Sequence, residues 1–406
     1  MKSRLVWLIA ALAAIGSAQA APPEGGLRIA TWNVENLDVD APAWRVRELA
    51  AELQRLAADL VFLQEVASAR AAERLRDAVV GQGGPRYEVR TVDDARNDQQ
   101  VVLLSRLRPT RFRAYDFTGM GPRLDRVASA DFTLPEGRLR CVAVHLKAGV
   151  QDGGDARRRN EQTRQLLRDL VLPGLAEGRR VILLGDLNDI DGEVRYSNGR
   201  RPDPLSEVFD LLRQEAPQLR NTDTDLPLRE RVSTSHGYMF DHVVADARLA
   251  GLVSVSRPSS GSRPASDHYP LAFDLAPLHA RPLRVDLEPD RHVPAGDSAS
   301  DEVASANPGV ILGEVTVRVV LTHSRLDDLE VSLTHAGRTA LLLRRPTWRE
   351  RTLDLRVPTD VFAGVTAAGP WRLEVRDRAS RARYGGTLRS WALRAAVVDD
   401  PGLARR

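Results

Sequence analysis

The sequence predicts an α/β domain with helices laid over sheet faces, followed by a separate all-β domain of sandwich or jelly-roll type. Three observations carry this expectation. From Leu27 to Leu275, apolar strand-like runs alternate with segments of helical spacing, as in sheets covered by helices. After Pro277 to Pro282 (PLHARP) the texture changes to short β-type runs separated by turns. The 406 residues are also too many for one small core, which favours two domains.

The first domain opens with LRIATWNV (Leu27 to Val34), an apolar strand with a polar tip, and Ala43 to Leu56 has its apolar residues at helical spacing. DLVFLQEV (Asp59 to Val66) reads as a second buried strand and Ala69 to Val80 as a second helix. Gln100 to Ser105 and Leu139 to Lys147 read as strands, and Asp155 to Leu175 as a long arginine-rich helix. RVILLGDLND (Arg180 to Asp189) then runs from four uninterrupted apolar residues into a glycine and two polar positions, as a strand buried on both faces does when it surfaces. Ile190 to Ser235 is polar and irregular apart from one helix near Leu205 to Arg213, so it is expected to be functional or disordered. Tyr238 to Ala245 and Tyr269 to Leu275 supply further strands. Beyond the linker, runs such as VILGEVTVRVVLTH, DLEVSLTH and WRLEVRD are β-type. The expected divisions are 1–20 leader, 21–276 α/β domain, 277–283 linker, 284–398 β domain and 399–406 tail. The linker lacks apolar weight, so the β domain is expected to fold as a separate appendage, dispensable for turnover.

Residues 1–20 have the form of a secretory leader. Lys2 and Arg4 precede the apolar Leu5 to Ile15, and Ala18-Gln19-Ala20 offers small residues for cleavage before Ala21. The apolar run is too short to anchor the mature chain. A soluble, monomeric, exported protein, extracellular or periplasmic and without a stable membrane anchor, is expected. Cys141, the only cysteine, lies in the apolar run RLRCVAVHL and is expected to be buried and inert, leaving no internal disulfide. Loss of Lys2 and Arg4 leaves 56 of the 58 basic residues against 55 acidic ones, a net charge of +1. No global field therefore draws this chain onto a polyanion, and any such binding must rest on local arginines.

The polar tips of the apolar runs are Asn33, Glu65, His145, Asp186 with Asn188, Asp241 with His242, and Asp267 with His268. Strand ends are where an α/β sheet places a ligand site. Carboxylates and amide oxygens without thiolates suit a hard divalent cation, Mg²⁺, Mn²⁺ or Ca²⁺. Histidines beside such an ion suit proton transfer to and from phosphate oxygens at neutral pH. Asp186 and Asn188, two apart, point the same way on an extended chain. His242, directly after Asp241, must face the other side of its strand and reads as structural.

In this order TWNVENL (31 to 37), LQEV (63 to 66), VHLK (144 to 147), GDLND (185 to 189), FDHVV (240 to 244) and SDHYPL (266 to 271) resemble the endonuclease/exonuclease/phosphatase superfamily typified by deoxyribonuclease I and exonuclease III. The resemblance covers about residues 27 to 276 and implies a four-layer α/β sandwich that cleaves phosphoesters with a divalent metal. It assigns Asn33 and Glu65 to metal binding, with Asp267 nearby, and sets Asp186 and Asn188 around the attacking water and the phosphate. It makes His268 the acid/base histidine, oriented by Asp241, and His145 the second histidine at the scissile phosphate, supported by Asp98 or Gln99. Which group activates the water stays open. VLTHSRLDDLEVSLTH (320 to 335), FAGVTAAGPWRLEVRD (362 to 377) and GGTLRSWALR (385 to 394) resemble the P domain (P/Homo B) of proprotein convertases. Its Asp327, Asp328 and Asp377 are read as exposed turn residues, with calcium binding as the alternative.

These readings converge on an exported nuclease with nucleic acid as its substrate. Arg157 to Arg159, Arg195, Arg200 and Arg201 are candidates for contacts to successive phosphates, although 157–159 reads equally as a solvated helix face. The alternatives are a sphingomyelinase-like phospholipase, a sugar- or inositol-phosphate phosphatase, and a non-catalytic binding protein. A bilayer-active enzyme needs exposed aromatics, and Ile190 to Ser235 offers chiefly Tyr196 and Phe209.

Overall fold

A computed structural model describes residues 26–91, 99–117, 127–134, 137–149, 153–196, 203–256, 265–344, 346, 351–379 and 385–399. Residues 1–20, expected as a leader, and most of the tail lie outside this set. No helix among the described residues is long and apolar enough to cross a membrane.

Two six-stranded sheets build the first domain. In spatial order one runs Gly251–Val255, Leu271–Leu275, Leu27–Leu37, Leu60–Val66, Gln100–Ser105 and Glu88–Arg90. The other runs Arg111–Ala114, Val127–Leu134, Gly137–His145, Arg180–Asp186, Asp241–Asp246 and Leu219–Asn221. Alternation along each strand explains the layers, since successive side chains face opposite ways. Ile29, Phe62 and Leu103 of the first sheet meet Cys141, Ile182 and Val243 of the second in one core between the sheets. Trp32, Val61 and Leu63 face outward onto Leu49, Leu53 and Leu75 of the helices Ala43–Leu56 and Ala69–Gly81. Val142, Leu183 and Val244 face outward onto Leu167, Leu170 and Leu212. Strands buried on both faces must read as unbroken apolar runs, and the result is the expected α/β/β/α sandwich.

Helical structure runs from Gly153 to Ala176 through a wider turn at Leu167–Val171, just before Pro173, which has no amide to give to an ordinary helical turn. The segment after Ile190 is ordered where described. It holds the helix Val208–Glu215, the strand Leu219–Asn221 and short 3-10 turns at Thr222–Asp225 and Leu228–Glu230.

The second domain pairs a five-stranded sheet with a four-stranded one, all antiparallel, around a core containing Trp371, Trp391 and Phe362. Residues 277–283, expected as a linker, carry Leu278, buried in the first domain's core, and the strand Arg281–Leu287 begins within them. Ala250, Ala276 and Ala280 pack on Ala396 and Val398 to seal the two domains together.

Candidate active site

Topology brings the polar tips to one edge. Leu27–Leu37 and Leu60–Val66 run parallel, as do Gly137–His145 and Arg180–Asp186, so Asn33, Glu65, His145 and Asp186 lie at the C-terminal ends of their strands. Asp241 begins a strand antiparallel to the last of these and sits directly opposite Asp186. Gly185, at φ 130°, is obligatory here, because a Cβ would lie 2.1 Å from the Val144 carbonyl oxygen.

The first sheet ends irregularly. Pairing slips between Asn33 and Leu37, opposite a slip between Leu63 and Val66, and Glu35, Asn36 and Glu65 adopt φ of 52°, 52° and 60°. Left-handed backbone at non-glycine residues costs about 1 kcal/mol or more each and tends to persist where function holds it. Here it aims the Glu65 carboxylate at Asn33, whose Nδ2 donates to Glu65 Oε1 and to Asp186 Oδ2, both at 3.0 Å. Asn36 N–H donates to Glu65 Oε2 at 3.1 Å. Asn33 thus ties the two sheets together across the site. Its Oδ1 takes the Glu35 N–H at 2.9 Å, so the amide now presents nitrogen to the carboxylates. The ligand role expected for Asn33 needs the amide turned over, which sets oxygen against carboxylate and is favourable only with a cation between them.

Two histidines flank this pair. His145 Nε2 stands 3.6 Å from Glu65 Oε1 and 3.8 Å from Asp186 Oδ2. His268 Nε2 stands 3.8 Å from Asp186 Oδ2, while its Nδ1 lies 2.6 Å from Asp241 Oδ2. Asn188, at φ 50°, donates its N–H to Asp186 Oδ1 at 2.9 Å and its Nδ2 to the Leu146 carbonyl at 3.1 Å. Asp267 is at the rim, its side chain 39% exposed and 3.9 Å from His268 Nε2.

Burial, then the neighbouring charge of Asp241, pushes Asp186 well above the usual carboxylate range. Burial alone would lower His268, but the charge and hydrogen bond of Asp241 outweigh it and raise the imidazole, favouring the doubly protonated ring. Asp241 Oδ1 is buried without a hydrogen-bond partner. Asp186, Asp241 and His268 each offer a ligand atom within 4.8 Å of the others. An orphaned carboxylate oxygen beside a second buried carboxylate is what a hard divalent cation relieves, so the residues fit such an ion.

A family model described as the Endonuclease/Exonuclease/phosphatase family matches residues 30–268. The chain belongs to that family. All the tips described above lie within its matched span, and a model of the proprotein convertase P-domain matches residues 312–395. Similar solved structures include truncated Caenorhabditis elegans TDP2, 16% identical with TM-score 0.46 over 62% of this chain and 98% of that one. The human Nocturnin catalytic domain with bound sulfate is 17% identical, with TM-score 0.44 over 63% of this chain and 94% of that one. A 3'-5' exonuclease from Neisseria meningitidis is 18% identical, with TM-score 0.46 over 61% and 99%. At these identities and scores the likeness adds nothing to what the family match gives. A comparison with curated proteins finds no match.

The family domain gathers Asn33, Glu65, His145, Asp186, Asn188, Asp241 and His268 at one place. Gln99 donates to Asn36 Oδ1 at 2.9 Å, and Asp98 lies outside the described residues. Among the arginine candidates, Arg157, Arg158 and Arg195 are exposed, while Arg200 and Arg201 lie outside the described residues. Arg159 is a correction: it is fully buried, donating to the Lys147 carbonyl and pairing with Asp203 at 3.0 Å, so it cannot meet a phosphate. In the second domain Asp377 is also corrected. It is buried and takes the N–H groups of Gly296 and Ala379, while Asp327 and Asp328 pair with Arg325, so the three form no shared ligand cluster.

Sequence reasoning missed three supports. Ser266 Oγ donates to the Asn33 carbonyl and accepts the His268 N–H. Ser233 Oγ accepts the N–H groups of Phe240 and Asp241, and Trp32 Nε1 donates to the His268 carbonyl. Ser266 opens SDHYPL and Trp32 sits in TWNVENL, so the signal was there; Ser233 carried none.

Proposed function

We propose that this chain is an exported, metal-dependent phosphodiesterase, a nuclease acting on DNA or RNA with little sequence specificity. The observation that carries the reading is the meeting of Glu65, Asp186, His145 and His268 across the seam between the sheets, around the Asn33 amide. Two carboxylates and two histidines at one strand edge match the needs of in-line phosphoryl transfer, where negative charge builds on the phosphoryl oxygens.

Glu65 and Asp186, with Asn33 between them and Asp241 and Asp267 beside, would hold Mg²⁺ or Mn²⁺, with Ca²⁺ the other hard candidate. Such an ion, when bound, polarises the phosphoryl oxygens and activates water. His268 holds its Nδ1 proton against Asp241 and presents Nε2–H towards Asp186, poised to protonate a leaving oxygen. His145 offers a second imidazole 3.8 Å from Asp186 Oδ2, and Asn188, whose N–H donates to Asp186, would bind a phosphate oxygen. Arg157, Arg158 and Arg195, exposed and without an ion pair among the described residues, suit backbone phosphates, which carry no base information. Export rests on the leader-like residues 1–20.

The phospholipase reading is weakened because Tyr196 and Phe209, the aromatics expected to enter a bilayer, are both buried. The test is hydrolysis of plasmid DNA, RNA and sphingomyelin by the purified chain with Mg²⁺, Mn²⁺, Ca²⁺ or a chelator. Metal-dependent nicking of nucleic acid is expected; cleavage of sphingomyelin alone would replace this reading with the phospholipase one.

A further inference from the structure

The turn Thr222–Asp225 lies between the candidate active site and the second domain and is held from both sides. On the site side, Asp223 is fully buried, and its Oδ2 lies 2.8 Å from His242 Nδ1 and 3.1 Å from the Tyr196 hydroxyl, which donates to it. His242 Nε2 lies 2.9 Å from the Asp189 carbonyl oxygen, immediately after Asn188 in the GDLND turn. The ring therefore bridges a carboxylate and a carbonyl, both acceptors, an arrangement that needs a proton on each nitrogen. Thr222 Oγ1 also donates to the Val243 carbonyl at 2.8 Å, so the turn grips the strand that begins at Asp241.

On the other side the partners come from the second domain. Arg394 Nε donates to Asp225 Oδ1 at 3.3 Å, and Arg318 Nη1 donates to the Thr224 carbonyl at 3.4 Å. Arg318 also pairs with Asp354 through two hydrogen bonds, at 3.0 and 2.9 Å, and Asp354 Oδ2 takes the Leu228 N–H at 2.7 Å. Arg394, Arg318 and Asp354 of one domain thus hold the five-residue stretch 224–228 of the other by directional bonds. An interface serving only to tether needs no such aim at one turn.

We infer that the second domain is a positioning part of the active site, bracing the GDLND turn through Arg394 and Arg318, the Thr222–Asp225 turn, and the Asp223–His242 pair. Its consequence for chemistry rests on the phosphodiesterase reading; its consequence for rigidity does not. The geometry of Asn188 and Asp186 is the end point, and displacement of such groups by about an ångström costs up to about a hundredfold in rate. This replaces the dispensable appendage expected from the sequence with a domain whose loss loosens catalysis.

The test compares the full chain with Arg394→Ala and Arg318→Ala, both far in sequence from every site residue. Amide hydrogen exchange at 186–191 should quicken in each variant, and turnover should fall roughly tenfold with KM held. Arg394→Lys should recover part of both, since it keeps a cation beside Asp225. If Arg394→Ala does not fold, Arg318→Ala is read in its place. Faster exchange confined to 222–231, with 186–191 as protected as in the wild type, would overturn the inference. A wild type with no phosphodiesterase activity sinks the functional reading alone, and the exchange data still decide this one.

Discussion

Glu65 joins a strained backbone to the ligand role proposed for it. Its left-handed backbone and its bonds to Asn33 and Asn36 hold a carboxylate 3.6 Å from His145, where a plain strand end would point it elsewhere. Glu65→Gln keeps the shape and removes the charge, so metal affinity should fall by tenfold or more, roughly, as for loss of one anionic ligand from a hard-cation site. Calorimetric titration with Mn²⁺ checks this, and an unchanged isotherm would exclude Glu65 as a ligand. His268 Nδ1 lies 2.6 Å from Asp241 Oδ2, and the proposed mechanism treats the two as one unit. His268→Ala should cost roughly a hundredfold to ten-thousandfold in turnover and Asp241→Asn less. The double variant should be scarcely worse than His268→Ala. If the losses multiply, the two residues do not work through each other.

At the scale of elements, the strand Arg180–Asp186 is the one on which the site hangs, and Gly185 is its most constrained position. Gly185→Ala drives a methyl into the Val144 carbonyl, so the chain should misfold or lose several degrees of thermal stability, where Gly178→Ala, strained by its φ of 73° but with open space around it, should lose less. Comparable melting of the two variants would refute the packing account. This strand was legible in the sequence because burial on both faces leaves an unbroken apolar run that stops at the site. Val127–Leu134 was not. Asp131 interrupts its pattern, and only the fold supplies the partner, Arg140, which forms a buried two-bond ion pair with it at 2.7 and 2.9 Å. The site followed the same division. Tips at strand ends were readable from spacing, whereas Ser233 and the Asp223–His242 pair depend on chain crossings that no local pattern records.

For the whole molecule, the domain seam joins an alanine-lined apolar patch to partly buried ion pairs. Asp225 and Asp354 are both held below the usual carboxylate value of 3.8: burial alone would raise each, but Arg220 and Arg394 around Asp225, and Arg318 beside Asp354, outweigh it. A depressed folded value means the stabilisation is full above the unfolded value and is lost as pH falls through the folded one. Melting temperature should therefore drop as pH falls below about 4, and Asp225→Asn should flatten that drop. Equal slopes in variant and wild type would show that the pair does not couple folding to protons. The central claim is that the strand-edge cluster is a metal-dependent phosphodiesterase site. Its most direct measurement is the rate at which chelator-stripped protein nicks plasmid DNA as Mg²⁺ or Mn²⁺ is restored, run beside His268→Ala. The account predicts no nicking without metal, saturable recovery with it, and a rate at saturation lower by about a hundredfold or more in the variant. Nicking that survives the chelator, or a variant as fast as the wild type at saturating metal, would contradict it.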